Sequence, residues 1–203
     1  MEAATTTQRA LPGEKAQRIV DAMRSTVARR GTAGATFDQV AREAGVSRGL
    51  LHYYFGSKER LLVEVVRRDC ELRLAVLDEQ LSGARSADDF IALLVYALED
   101  LVSNDPEFIT VVFELFSLSR RHEDIAVELA EVMRRTREHV GELLRAKQDE
   151  GVLRLVGEPE AIAEILFALA DGVSLRMLAE PERDFGATIG AGVAAVRALV
   201  ANV

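Results

Sequence analysis

Thr36 to Lys58 reads TFDQVAREAGVSRGLLHYYFGSK, and the punctuation of this stretch decides the fold. Thr36 stands where an N-cap hydroxyl accepts from the free backbone N–H groups of a first helical turn, and Gln39 can reach back to complete a capping box. Val40, Ala41 and Ala44 give one apolar stripe. Gly45 follows where a helix ends in left-handed backbone, which costs glycine nothing. Val46 plugs the turn, Ser47 is the next N-cap, and Arg48 through Tyr54 form about two helical turns before Gly56 and Ser57 break them. This is a helix-turn-helix whose second helix is a candidate reader of a DNA major groove. The spacing alone fits any pair of helices in a bundle. The residues carried by the second helix separate the two readings: Arg48, side-chain-free Gly49, His52 and two successive tyrosines make a polar, aromatic surface that suits a partner better than a core.

Upstream, Glu14 to Arg30 places Ile19, Ala22, Met23 and Val27 on one face of a helix ended by Gly31, which covers the helix-turn-helix and completes a three-helix domain. Phe37, Val40, Val46, Leu51 and Phe55 are assigned to its small core. Downstream, Ser57 caps a longer helix with Leu61, Leu62, Val65 and Val66 inward, running through Cys70 and Leu74 towards Leu81. Lys58 lies in its first turn, where free N–H groups favour a phosphate. After a break at Gly83 and Ser86, the chain is helical without a strand signal: Ala87 to Ser103, Pro106 to about Ser119, Asp124 to Glu150, Pro159 to Leu178 and Asp184 to Ala201. The expected architecture is all-α with about nine helices. It divides into an arm at 1–13 predicted to be disordered, a helix-turn-helix domain at 14–56, and a helical bundle at 57–203 whose first element, 57–81, is the connecting helix.

The chain of 203 residues carries a net charge of −8, which at first argues against a nucleic-acid partner. The distribution reverses that: residues 1–68 hold 12 Lys or Arg against 7 Asp or Glu, and residues 69–203 hold 13 against 26. A basic module on an acidic body is the pattern of a DNA-binding protein, the plainer reading being that Arg18, Arg24, Arg29 and Arg30 are a solvated helix face. The single cysteine, Cys70, cannot pair within its own chain, and a cytoplasmic location is expected. The first dozen residues lack the basic start and apolar core of a signal peptide, and no apolar run approaches the roughly 20 residues that span a bilayer.

Residues 19–62 resemble the N-terminal DNA-binding domain of TetR-type transcriptional repressors through IVDA (Ile19–Ala22), RRGTAGAT (Arg29–Thr36), VAREAGVSRG (Val40–Gly49) and HYYFGSKERLL (His52–Leu62), about a quarter of the chain. Such proteins commonly carry threonine where Leu50 stands, tyrosine at His52 and proline at Gly56. The resemblance implies DNA contacts at Thr36, Ser47, Arg48, Gly49, Leu50, His52, Tyr53, Tyr54 and Lys58, with Leu50 limited to apolar contact such as a thymine methyl. It also implies a homodimer formed by the last two helices, matching a palindromic operator. Ile162, Ile165, Leu169, Ile189, Val193 and Val196 are the expected interface residues, lying among small ones such as Gly190 and Ala194; an intrachain core is the alternative use of these stripes. A small-molecule effector is expected in the bundle, with Tyr96, Glu99, Phe108, Phe113, Phe116, Phe167, Asp171 and Met177 as candidate lining. The aromatic content suits an apolar or amphipathic ligand.

Enzyme readings fail on the residues. Gly190, Gly192 and Ala195 spell a dinucleotide fingerprint, but no strand precedes them and no βα unit can follow. Three residues before His52, His122 and His139 stand Gly49, Ser119 and Thr136, so no Glu-x-x-His pair for a di-iron bundle exists. No cofactor or metal site is expected. The expected function is a ligand-responsive, sequence-specific DNA-binding regulator, most simply a repressor released when effector favours a dimer whose reading helices no longer fit successive grooves. The alternative is a helical small-molecule-binding or hydrolytic protein whose helix-turn-helix is only structural.

Overall fold

A computed structural model describes residues 13–201. The predicted arm lies outside those residues except for Gly13, which opens the first helix. Among the described residues the elements are α1 (Gly13–Gly34), α2 (Phe37–Ala44), α3 (Arg48–Phe55), α4 (Lys58–Ser82), α5 (Ala87–Asn104), α6 (Pro106–Ser119), α7 (Glu123–Asp149), β1 (Arg154–Leu155), α8 (Pro159–Ala179), α9 (Gly186–Leu199) and β2 (Val200–Ala201). The fold is all-α, as the periodicity predicts.

The caps form where the sequence places them. Thr36 Oγ1 accepts from Gln39 N and Gln39 Oε1 accepts from Thr36 N, each at 3.3 Å, closing the capping box of α2. Gly45 ends that helix at φ 66°, ψ 37°, in left-handed backbone. Ser47 Oγ accepts from Leu50 N at 3.3 Å at the start of α3, Ser57 Oγ from Arg60 N at 3.2 Å at the start of α4, and Ser86 Oγ from Asp89 N at 3.1 Å at the start of α5. Each satisfies an N–H that the helix itself leaves without a partner. Gly31, at φ 66°, ψ 174°, interrupts α1 where the sequence marks its end.

One expectation fails at the C-terminal end. The last helix stops at Leu199 instead of running to Ala201, and Val200 turns extended at φ −127°, ψ 117°. Val200 and Ala201 then pair antiparallel with Leu155 and Arg154. Val200 is fully buried in this arrangement.

The chain clusters into two compact units. The first holds residues up to Arg68 together with Thr110–Leu129, the second Asp69–Ile109 with Ala130–Val203. This differs from the contiguous division at 56/57 suggested by helix breaks. In the first unit Ile19, Val20, Met23, Val27, Phe37, Val40, Leu51 and Phe55 are buried with Leu61, Leu62, Val65 and Val66 of α4. Val111, Leu115, Ile125 and Leu129 are buried too, so the first turns of α4 and parts of α6 and α7 bring apolar surface that the three small helices lack. Val46, assigned to this core, is only half-buried. The second unit is built around Leu81, Phe90, Ile91, Val140, Leu144, Leu153, Ile162, Ala163, Leu166, Val196 and Val200. None of its described helices, nor any of the first unit's, is long and apolar enough to cross a membrane.

Candidate nucleic-acid interface

α3 has two faces. Leu51 and Phe55, 0% and 5% exposed, hold it to the first unit's core, while Arg48, Gly49, His52 and Tyr53 are exposed and Leu50 and Tyr54 half-buried. Tyr53 keeps 63% of its surface exposed, and its ring meets that of Tyr54 edge-on at 5.0 Å. A Cβ added to Gly49 would meet nothing within 4 Å. The fold therefore does not demand glycine there, and the bare backbone is free for approach from outside. Thr36 and Ser47, both exposed, spend their hydroxyl oxygens on caps. Their hydroxyl protons are available to a phosphate.

The guanidinium of Arg48 is held on two sides. Its Nε donates to His52 Nε2 at 3.2 Å and its Nη1 to the Asp38 carboxylate at 3.2 and 3.4 Å. His52 Nδ1 lies 3.3 Å from the Gly56 carbonyl. A carbonyl can only accept, so Nδ1 carries the proton and Nε2 is the acceptor Arg48 needs. The His52 ring also stands edge-on to Phe37 at 4.7 Å, and Phe37 is buried. Asp38 does not stand out in the sequence as a site residue; its only signal is a carboxylate in the first turn of α2.

Lys58, expected on a phosphate, donates from Nζ to the Thr32 carbonyl at 2.8 Å. Two further protons of the ammonium are left for DNA. Thr32 in turn gives its N–H and hydroxyl to Glu114 Oε2 of α6 at 3.3 and 2.9 Å. The segment after the Gly31 break is thus fixed from both sides. Nearby, the Arg29 guanidinium grips Glu43 at 2.8 Å and holds its carboxyl below the usual range. With residues 110–129 counted in, Arg120 and Arg121 against Glu114, Glu123, Asp124 and Glu128 take two from the +5 of residues 1–68, leaving this unit basic.

The candidate effector residues divide between the units: Phe113 and Phe116 belong to the first, Tyr96, Glu99, Phe108, Phe167, Asp171 and Met177 to the second. Tyr96 and Phe116 are exposed at 56% and 41%. Phe167 packs on the second unit's core, and the Phe108 ring carries the Arg73 guanidinium at 4.4 Å. Glu99 is exposed and Met177 half-buried. Asp171 keeps solvent over part of its surface, yet burial of its carboxyl, reinforced by Glu164, pushes its pKa up. Its charge reaches Cys70, whose thiol is pushed up to about 11 chiefly by burial and is opposed by a hydrogen bond to Thr136. A thiol so protonated is no nucleophile near neutral pH.

The residues of the expected dimer stripe differ in burial. Ile162 and Val196 are buried in the chain's own core at 3% and 9%, and Leu169, Ile189 and Val193 are half-buried. Only Ile165, at 48%, is openly exposed. The exposed positions of α8 include Ala161, Ile165, Ala168, Gly172, Leu175 and Ala179, flanked by the charged Glu164, Asp171 and Arg176, and those of α9 include Ala187, Gly190, Ala191, Ala194 and Ala198. On α8 these recur at alternating steps of four and three, the spacing of a seam about 3.5 residues per turn.

The chain resembles known proteins along most of its length. The family described as "Bacterial regulatory proteins, tetR family" matches residues 19–65, and that described as "BetI-type transcriptional repressor, C-terminal" matches residues 91–203. The HTH-type transcriptional regulator BetI of Rhizobium meliloti (strain 1021) is 30% identical over 161 residues, 78% of this chain and 75% of that protein. Among solved structures, FadR from Bacillus subtilis in complex with stearoyl-CoA superposes with TM-score 0.72 at 17% identity, covering 89% of this chain and 96% of that one. A Saccharomonospora viridis protein in complex with choline gives TM-score 0.67 at 23% identity, covering 92% and 95%.

Proposed function

Because this chain belongs to the tetR family of bacterial regulatory proteins, we propose that it is a repressor that binds a palindromic operator as a homodimer and is released by a small apolar or amphipathic effector. The chain is a DNA-binding transcriptional regulator, and this displaces the reading in which the helix-turn-helix is only structural. One observation carries the DNA-reading part: α3 turns Leu51 and Phe55 inward and leaves Arg48, Gly49, His52 and Tyr53 outward on a net basic unit. In this reading Arg48, Gly49, Leu50 and Tyr53 meet base edges with His52 beside them at the interface, and Thr36, Ser47, Tyr54 and Lys58 hold phosphates.

The dimer reading is supported by the exposed small-residue faces of α8 and α9. Side chains this short let two helices of each protomer approach those of its partner closely, and the two-fold axis sets two copies of α3 against two half-sites. Repression is relieved, in this account, because the effector binds more tightly to a form whose two reading helices miss successive grooves; without that difference in affinity it could shift nothing. The ligands of the two structural neighbours, choline and stearoyl-CoA, are a small quaternary ammonium cation and a long-chain acyl thioester, and they serve as the first probes.

Selection of bound duplexes from a random pool with the purified full chain tests the reading. A palindrome should be enriched, its affinity should fall with salt at a slope near −0.9 per phosphate neutralised, and an added effector should release it. Enrichment of a single asymmetric half-site would refute the dimeric operator. A palindrome bound more tightly with every effector that binds the protein would refute release.

A further inference from the structure

We propose that Asp38 and His52 are positioning residues that orient Arg48 for base reading and so set sequence discrimination. The inference rests on the DNA-reading proposal above and adds Asp38, which that proposal does not use.

Phe37 is buried at the start of α2, and its ring contacts that of His52 edge-on at 4.7 Å, so the imidazole plane is set by a residue that cannot move freely. The proton on Nδ1 is committed towards the Gly56 carbonyl at 3.3 Å, and Nε2 accepts from Arg48 Nε at 3.2 Å. Arg48 and His52 are one helical turn apart, which is the spacing that brings two side chains of an α-helix together. From α2, the Asp38 carboxylate accepts from Arg48 Nη1 at 3.2 and 3.4 Å. Two groups, one from each helix, thus hold the guanidinium, and Nη2 is left to a base.

An arginine on an exposed helix normally samples many rotamers and settles on whichever phosphate is nearest, which raises affinity for every sequence alike. An arginine held in one orientation donates well only to a base whose acceptors lie in its plane, such as the O6 and N7 of guanine. Asp38 also opposes any backbone phosphate near Arg48 by like charge. In water the Arg48–Asp38 pair, each partner 58% exposed, is weak; against DNA, with water excluded, the same contacts count for more.

The test uses full-length protein, the enriched palindrome and an unrelated duplex of equal length, with affinity for both measured at one salt concentration. Asp38→Asn should cut the ratio of specific to non-specific affinity about five-fold, mainly by tightening the unrelated duplex. His52→Phe keeps the ring edge but removes the acceptor without changing charge, and should cut the ratio similarly by weakening the palindrome. Asp21→Asn, on an exposed turn of α1 where Asp21 accepts from Gln17, removes a negative charge from the same unit without touching the Arg48 hydrogen bonds, and should tighten both duplexes by one factor, leaving the ratio unchanged. Partial unfolding of a variant lowers both affinities together and does not move the ratio. If both variants leave the ratio at its wild-type value, the inference is overturned. If the wild-type chain prefers no duplex, the DNA-reading proposal falls and this inference with it.

Discussion

Of the three described glycines with positive φ in the first unit, Gly31 and Gly45 occupy different backbone regions, and substitution separates them. Gly45 lies at φ 66°, ψ 37°, the left-handed basin that asparagine also visits. Gly31 lies at φ 66°, ψ 174°, a region essentially restricted to glycine. Neither site is crowded: a Cβ at Gly45 would meet nothing within 4 Å, and at Gly31 only Glu114 Oε1 at 3.5 Å, an ordinary contact. Backbone conformation alone then sets the cost. Gly45→Ala should cost about 1 kcal/mol, from the left-handed penalty for an L-residue less the gain from a stiffer unfolded chain. Gly45→Asn should cost about half of that, whereas Gly31→Ala and Gly31→Asn should each cost about 2 kcal/mol. For a chain of this size 1 kcal/mol moves the melting midpoint by about 2–4 °C. Circular dichroism melts of the four variants at one fixed protein concentration, so that association does not shift the midpoints, give the comparison. The reasoning is refuted if asparagine rescues Gly31 as well as it rescues Gly45, or if it is no better than alanine at Gly45.

Other outcomes follow from named contacts. Asp171 has its folded pKa raised by burial, so folding disfavours its charge at pH values above that pKa and is indifferent below the ordinary value of 3.8; Asp171→Asn should therefore raise the melting midpoint at pH 7 and lose that advantage in a titration down to pH 3. Glu114→Gln keeps one acceptor for Thr32 but loses the charge that accepts from both its N–H and its hydroxyl, and should cost about 1 kcal/mol in urea unfolding, with faster amide exchange at Thr32. Ile165→Lys, on the outward face of α8, should leave the fold intact and yield a monomer by light scattering if that face is the dimer seam, whereas a dimer of unchanged affinity would place the interface elsewhere.

The helix-turn-helix was legible in the sequence because everything that makes it is local. A capping box spans three residues, a C-terminal glycine follows its helix directly, and Ser47 caps the next turn, so short-range hydrogen bonds and φ preferences fix α2, the turn and α3 before any long-range contact forms. The inward Leu51 and Phe55 and the outward Arg48 and Tyr53 follow from the 3.6-residue period. What the period could not decide is the direction of α8. Ile162 and Leu166 make one apolar stripe, Ile165, Ala168, Gly172 and Leu175 another, and a helix apolar on nearly every side has no amphipathic signal to orient it. Only the tertiary structure, by burying Ile162, Ala163 and Leu166 against Phe90, Leu144 and Val196, shows which stripe is spent inside the chain. The same holds for the pairing of Leu155 with Val200, for the entry of Thr110–Leu129 into the first unit, and for the approach of Asp38 to Arg48 across the turn. Each is a meeting of residues whose separation in the chain leaves no trace in local propensity. Local spacing and capping residues specify the helices and the helix-turn-helix; which of several equally apolar faces meet one another is set only by long-range packing, because burial is a property of the neighbours a residue acquires.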